Sequence, residues 1–108
     1  MTDARWLTVL TTTDTEAKAK ALASGAVEAR LAACAQISGP VTSVYRWQGA
    51  IETAEEWQVL LKTAADRYDA LESHLASAHD YETPEIIATP VVGGSAEYLA
   101  WLTDETRA

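Results

Sequence analysis

Residues 41–63 read VTSVYRWQGAIETAEEWQVLLKT. Val41, Ser43, Tyr45 and Trp47 alternate with Thr42, Val44 and Arg46. Beyond Gln48-Gly49, Ile51, Thr53, Glu55, Trp57, Val59, Leu61 and Thr63 alternate with Glu52, Ala54, Glu56, Gln58, Leu60 and Lys62. A strand turns successive side chains to opposite faces, so this period of two predicts a long hairpin closed by a glycine-containing turn. At roughly 3.3 Å per residue, each arm outreaches the core that a small domain can wrap around it. The far end, carrying Tyr45, Trp47, Ile51 and Trp57, then needs cover, and a second copy of the chain is the expected source.

Upstream of the hairpin, LAACAQI at 31–37 is an apolar run expected to lead into the first arm. Ser38-Gly39-Pro40 interrupts it, and proline cannot donate in a ladder, so a bulge or bend is predicted there. Residues 6–12 are rich in β-branched and bulky types and predict a first strand. In Thr13-Asp14-Thr15-Glu16, the Thr and Glu three apart read as a capping box. It opens a helix over 14–30, on which Ala19, Leu22, Ala26 and Ala29 share a stripe.

Downstream, Tyr68, Leu71, Leu75 and Ala78 predict a helix over 65–78. HDYETPEI at 79–86 reads as a loop, because the residue before Pro84 is pushed out of the helical region. Ile86, Ile87 and Ala88, closed by Pro90, predict a short edge strand. Ser95 is the expected N-cap of a last helix carrying YLAWL at 98–102. The order β-α-β-β-α-β plus a terminal helix is α+β and ferredoxin-like, with two helices on one face of an antiparallel sheet. The other sheet face still needs burial, a second argument for self-association.

A chain of 108 residues, 48% of them hydrophobic, predicts a single domain over 1–108. The net charge of −8 argues against a nucleic-acid partner and against an anionic membrane surface. No apolar run approaches the roughly 18 residues of a spanning helix, and Met1-Thr2-Asp3-Ala4-Arg5 lacks a signal-peptide layout. Cys34 is the single cysteine and cannot form an internal disulfide. A soluble, cytoplasmic protein is expected.

Six pieces carry a resemblance. They are the Thr-rich end of the first strand, LAACAQI at 31–37, TSVYRWQG at 42–49, EEWQVLLKT at 55–63, HDYETPEI at 79–86 and YLAWL at 98–102. In this order and at these spacings the chain resembles the CutA family of divalent-cation tolerance proteins over nearly its whole length. That family is similar to PII signalling proteins in fold and assembly, so the resemblance implies a compact homotrimer. It also implies divalent-cation binding, copper in particular, at a Cys ending the first strand and two adjacent His before the Tyr-Glu-x-Pro-Glu piece. Here Thr11 stands at the Cys position and Ala78 at the first His, leaving His79. Asp80 follows it where the family commonly has Pro. A soft thiolate with imidazoles suits copper, whereas a hydroxyl does not.

His79 reads either as a metal ligand, with oxygens from Asp80 and Glu82 to help, or as a structural residue at a helix end. His74 reads as a surface residue of its helix, and Cys34 as a small buried hydrophobe. Glu56 and Lys62 share a sheet face, six residues apart. By the resemblance, Trp47, Glu56, Lys62 and Tyr81 line the cleft between subunits. Such a lining suits a small anionic or amphipathic ligand, or else serves only to hold a trimer together. Tyr98 and Trp101 read as packing residues of the last helix.

Catalysis finds little in this chain: no nucleophile paired with a base, no P-loop, no dinucleotide fingerprint, no HExxH. Acylphosphatases share the predicted order but need an Arg-bearing phosphate cradle at the first strand-to-helix turn, which here reads Thr11-Thr12-Thr13-Asp14. The chain is therefore expected to act by binding or regulation, as a metal-responsive protein, a PII-like metabolite sensor or a trimeric scaffold.

Overall fold

The computed structural model describes residues 4–108, so the reading of the stretch from Met1 lies mostly outside the described residues. The elements follow as β1 (Trp6–Thr13), α1 (Glu16–Glu28), β2 (Cys34–Trp47), β3 (Ala50–Ala64), α2 (Tyr68–Ala78), β4 (Ile86–Pro90) and α3 (Ala96–Glu105). A 3-10 turn at Ala65–Arg67 leads into α2, which shortens the helix expected from 65. The strand order is β2-β3-β1-β4, with every neighbouring pair antiparallel. This is the ferredoxin-like α+β architecture, with β4 at an edge.

The core forms where the period-2 faces of the four strands meet the 3.6-period stripes of two helices. Val9, Val59 and Leu61, fully buried, pack with Ala19, Leu22 and Ala26 of α1 and with Leu71 and Leu75 of α2. Each fully buried Leu contributes roughly 1.5–3 kcal/mol relative to exposure. Gly25 lets the two helices approach: a Cβ there would lie 3.2 Å from His74 Nε2, so His74 is half-buried at the α1–α2 contact and not a surface residue.

The cap of α1 differs from the expected box. Thr13 stays in β1, buried opposite Trp57, so Thr15 becomes the N-cap and its hydroxyl accepts from the Lys18 N–H. The helix consequently runs from 16 to 28 and not from 14 to 30.

Arms of 14 and 15 residues make the hairpin. Its loop is Gln48-Gly49, both at positive φ (49° and 82°), the type I′ pattern whose twist matches the strands. The expected bulge is present as a register shift between Ser38 and Val41. Gly39 sits inside it at φ 152°, and a Cβ would come within 2.9 Å of the Trp57 ring. Trp57 therefore packs on the core side of the bulge and does not belong to the uncovered far end. That end extends the molecule to 44 × 29 × 22 Å. The radius of gyration is 14.3 Å, against about 13 Å for a compact chain of this length.

Helix α3 covers one end of the sheet face opposite α1 and α2. Trp6 Nε1 donates to Thr103 Oγ1 (2.9 Å), and Arg30 donates to the carbonyls of Asp104 (2.6 Å) and Arg107 (2.9 Å). Cys34 lies on this face and not in the core, half-buried, with Sγ 3.6 Å from Tyr98 Oη. Tyr98 and Trp101, expected as packing residues, stack on each other at 5.4 Å and stay about two-fifths exposed. Farther along the same face Ile87 is 57% exposed. No helix among the described residues is long and apolar enough to cross a membrane.

Candidate functional site

The bulge sets the site. Beyond it Val41 pairs with Glu56, Ser43 with Ala54, Tyr45 with Glu52 and Trp47 with Ala50, so these residues share the face away from α1 and α2. The loop following α2 folds back against this face, and together they enclose an open cavity of about 680 Å³. Tyr45 and Trp47 form its aromatic wall, Glu56 and Thr12 line the sheet side, and residues 81–85 supply the rest.

Glu56 is 7% exposed, the sole buried carboxylate among the described residues. Tyr81 Oη donates to its Oε2 at 2.9 Å. Burial first, then this bond to Glu56, pushes the Tyr81 phenol far above its ordinary value, so it stays protonated as a donor. Tyr81 is itself positioned by His79, whose ring lies 4.6 Å away and whose Nδ1 accepts the Tyr81 backbone N–H at 3.0 Å. The other nitrogen, Nε2, donates to the Thr12 carbonyl at 2.7 Å. A neutral ring with one N–H and one lone pair satisfies both bonds.

The loop is pinned at its start as well. Lys18 Nζ reaches Asp80 at 2.6 Å and Asp14 at 2.9 Å. The hydrogen bond from Lys18 holds the Asp80 carboxyl below its ordinary range, and the two carboxylates, Asp80 first, raise the Lys18 ammonium. Asp14 and Lys18 stand four apart on paper, but Asp80 is 62 residues away from Lys18 and gave no sequence signal.

Of the four residues assigned to the cleft, Trp47, Glu56 and Tyr81 line this cavity. Lys62 does not: it lies at the opposite end of β3, opposite Cys34, with Nζ 3.4 Å from Tyr98 Oη. Sequence reading missed Thr12 and Glu85 as neighbours of the cavity: Thr12 is brought there by the β1–β3 pairing, opposite Gln58, and Glu85 by the loop after α2.

The proposed metal position offers a poor donor set. Thr11 faces the helices, fully buried, with an Oγ1 that has no hydrogen-bond partner. His79 has both ring nitrogens engaged within the chain, so coordination would break one of those bonds. No group of three or more His, Cys, Asp or Glu among the described residues converges as a metal site. These donors do not fit a soft cation.

Comparison with known proteins gives a consistent picture. A family profile described as "CutA1 divalent ion tolerance protein" matches residues 7–105. The "Divalent-cation tolerance protein CutA" of Thermus thermophilus is 41% identical over 91% of this chain and 95% of its own. The rice "Protein CutA 1, chloroplastic" is 38% identical over 94% of this chain, which spans 57% of that longer protein. The crystal structure of the "stable protein, CutA1" of Shewanella sp. SIB1 superposes with a TM-score of 0.95 at 36% identity, covering 99% of this chain and 100% of that one.

Proposed function

The chain belongs to the CutA1 divalent ion tolerance family, and from that premise we propose that it serves divalent-cation tolerance as a self-associating binding protein, not as a catalyst. The observation that carries this reading is the hairpin tip. Val44 and Ile51 are 68% and 66% exposed on one face, and Tyr45 and Trp47 are exposed on the other. A tip bare on both faces is a surface waiting for an equivalent surface, and a closed ring of three copies would cover it without leaving an open end. The uncovered Ile87 and the half-exposed Tyr98–Trp101 pair add area to the same assembly.

A PII-like homotrimer, as the resemblance implies, would turn each cavity into a cleft between subunits. The Glu56–Tyr81 pair supports binding over catalysis, because a phenol held protonated is a fixed donor and a poor proton source. Copper is the cation that the resemblance names. With Thr11 in place of a thiolate and His79 fully engaged, we read tolerance as acting through ligand binding and regulation at the clefts, with copper at most a weak ligand of His79. The free Cys34 suits a reducing compartment, and we assign the cytoplasm on that ground.

Multi-angle light scattering at micromolar concentration, paired with Cu(II) titration calorimetry, tests this. The expected outcome is a particle of three 11.6 kDa chains, with little Cu(II) heat and none lost in His79→Ala. A stable lone protomer would overturn the assembly. Stoichiometric Cu(II) binding abolished in His79→Ala would restore the metal site.

A further inference from the structure

We infer that His79 is a positioning residue in this chain and not a metal ligand: it sets Tyr81, and through it Glu56, with no cation needed. This inference deepens the reading of the cavity as a binding cleft and rests on it for what the fixed residues serve. A neutral imidazole has one N–H and one lone pair. Here Nε2 gives its proton to the Thr12 carbonyl at 2.7 Å, and the Nδ1 lone pair takes the Tyr81 backbone N–H at 3.0 Å. The side chain is fully buried by its own chain, so the two bonds do not wait on a neighbouring copy.

The donors that could join His79 around a cation are committed or absent. Asp80 Oδ1 lies 3.7 Å from Nδ1, but Oδ2 of the same carboxylate accepts from Lys18 Nζ at 2.6 Å. A Pro at 80 would have no carboxylate for Lys18, so this tie belongs to the present sequence. Ala78 has no donor, and Thr11 offers a buried hydroxyl where a soft cation prefers a thiolate. A cation on Nδ1 would displace the Tyr81 N–H and leave a backbone donor unpaired beside a buried ring. The bonds form a relay of position instead. It runs from Thr12 in β1 through the imidazole to the Tyr81 backbone, and from the Tyr81 hydroxyl to Glu56 in β3 at 2.9 Å. The imidazole also stacks on the Tyr81 ring at 4.6 Å, which fixes the direction in which the hydroxyl points. Coordination at His79 would cut this relay at its middle, so divalent cations must act on this chain elsewhere.

The test uses the full chain labelled with heavy nitrogen, as purified, with excess EDTA and with added Zn(II), with light scattering on the same samples. The His79 ring nitrogens should show a proton fixed on Nε2 and a bare Nδ1 in all three samples. Amide exchange at Tyr81 should be equally slow in all three. Two variants then split the relay. His79→Gln keeps a donor for the Thr12 carbonyl and loses the acceptor, and should speed Tyr81 exchange about ten-fold. His79→Asn places an acceptor two residues before Tyr81, as in an Asx turn, and should restore most of the protection. Equal loss in both variants would mean that the ring only fills space, and would overturn the inference. So would a proton on Nδ1, faster exchange in EDTA, slower exchange with Zn(II), or His79→Gln exchanging as the parent does. If the assembled particle persists with the proton on Nδ1, this inference fails alone. If a lone protomer shows the expected ring and exchange signatures, the assembly fails and the positioning role stands.

Discussion

The β2–β3 ladder is a continuous antiparallel pair with two unlike halves. In the first, Cys34–Ser38 run against Gln58–Lys62, and Ile37, Val59 and Leu61 are covered by two helices. In the second, Val41–Trp47 run against Ala50–Glu56, and Val44, Tyr45, Trp47 and Ile51 are left exposed. Backbone pairing is of the same kind in both, so pairing alone does not distinguish them. Cover does. The ladder holds its shape to the tip, yet only the first half carries apolar burial that this chain supplies to itself. An isolated hairpin is marginal in water, so the second half depends on its continuity with the first and on whatever closes over it.

The sharpest way to break that contrast is a matched truncation in each half. Leu61→Ala removes a fully buried side chain and should cost about 2–5 kcal/mol in urea unfolding at every protein concentration. Ile51→Ala, at an exposed position of the tip, should change a dilute protomer by no more than about 0.5 kcal/mol. In concentrated protein the same substitution should lower the melting temperature, because it then acts on association. Equal costs at all concentrations would mean that the two halves are covered alike.

A smaller effect is expected at the joint between them. Gly39 stands at φ 152°, where a Cβ would meet the Trp57 ring at 2.9 Å and the Glu56 carbonyl at 3.1 Å. Gly39→Ala should cost roughly 1–3 kcal/mol, and because the bulge aims Glu56 it should also move that carboxylate. Chemical-shift changes confined to residues 38–43 and 54–58 would support the joint as a local hinge of register. Changes spread evenly through the core would contradict it.

Most of this architecture could be read from residue order. Alternation over 41–63 gave the hairpin, Gly39-Pro40 gave the bulge, and the Leu and Ala stripes gave the two helices, because each signal is local and obeys one period. The misreadings share a cause. Thr13 looked like a cap until β1 claimed it, and Trp57 looked like tip until Gly39, facing its ring, left room for it on the core side. Each depends on which strand lies alongside. The bonds Tyr81–Glu56 and Lys18–Asp80 join residues 25 and 62 apart, and no sequence period reports such a meeting.

The smallest effect concerns the bond that ties the body of the protein to the second half. Tyr81→Phe keeps the ring and removes the donor to Glu56, leaving a buried carboxylate oxygen bare. About 1 kcal/mol of stability should go near neutral pH. The pH dependence follows from the direction of the shift. In the folded chain the Tyr81 phenol keeps its proton above the ordinary value of 10.0, through burial and then the bond to Glu56. As pH rises past that value the unfolded chain releases the proton first, so the folded state binds more protons and stability falls with pH. The contribution is complete below pH 10 and declines above it. Tyr68 is raised too, chiefly by burial and then by Glu72, so Tyr81→Phe should flatten the alkaline limb of a urea-midpoint profile without abolishing it. Adding Tyr68→Phe should flatten it further, leaving the part that the raised Lys18 ammonium contributes. An alkaline limb unchanged in Tyr81→Phe would mean that the loop after α2 does not clasp the hairpin in solution, and that the second half stands free of the first.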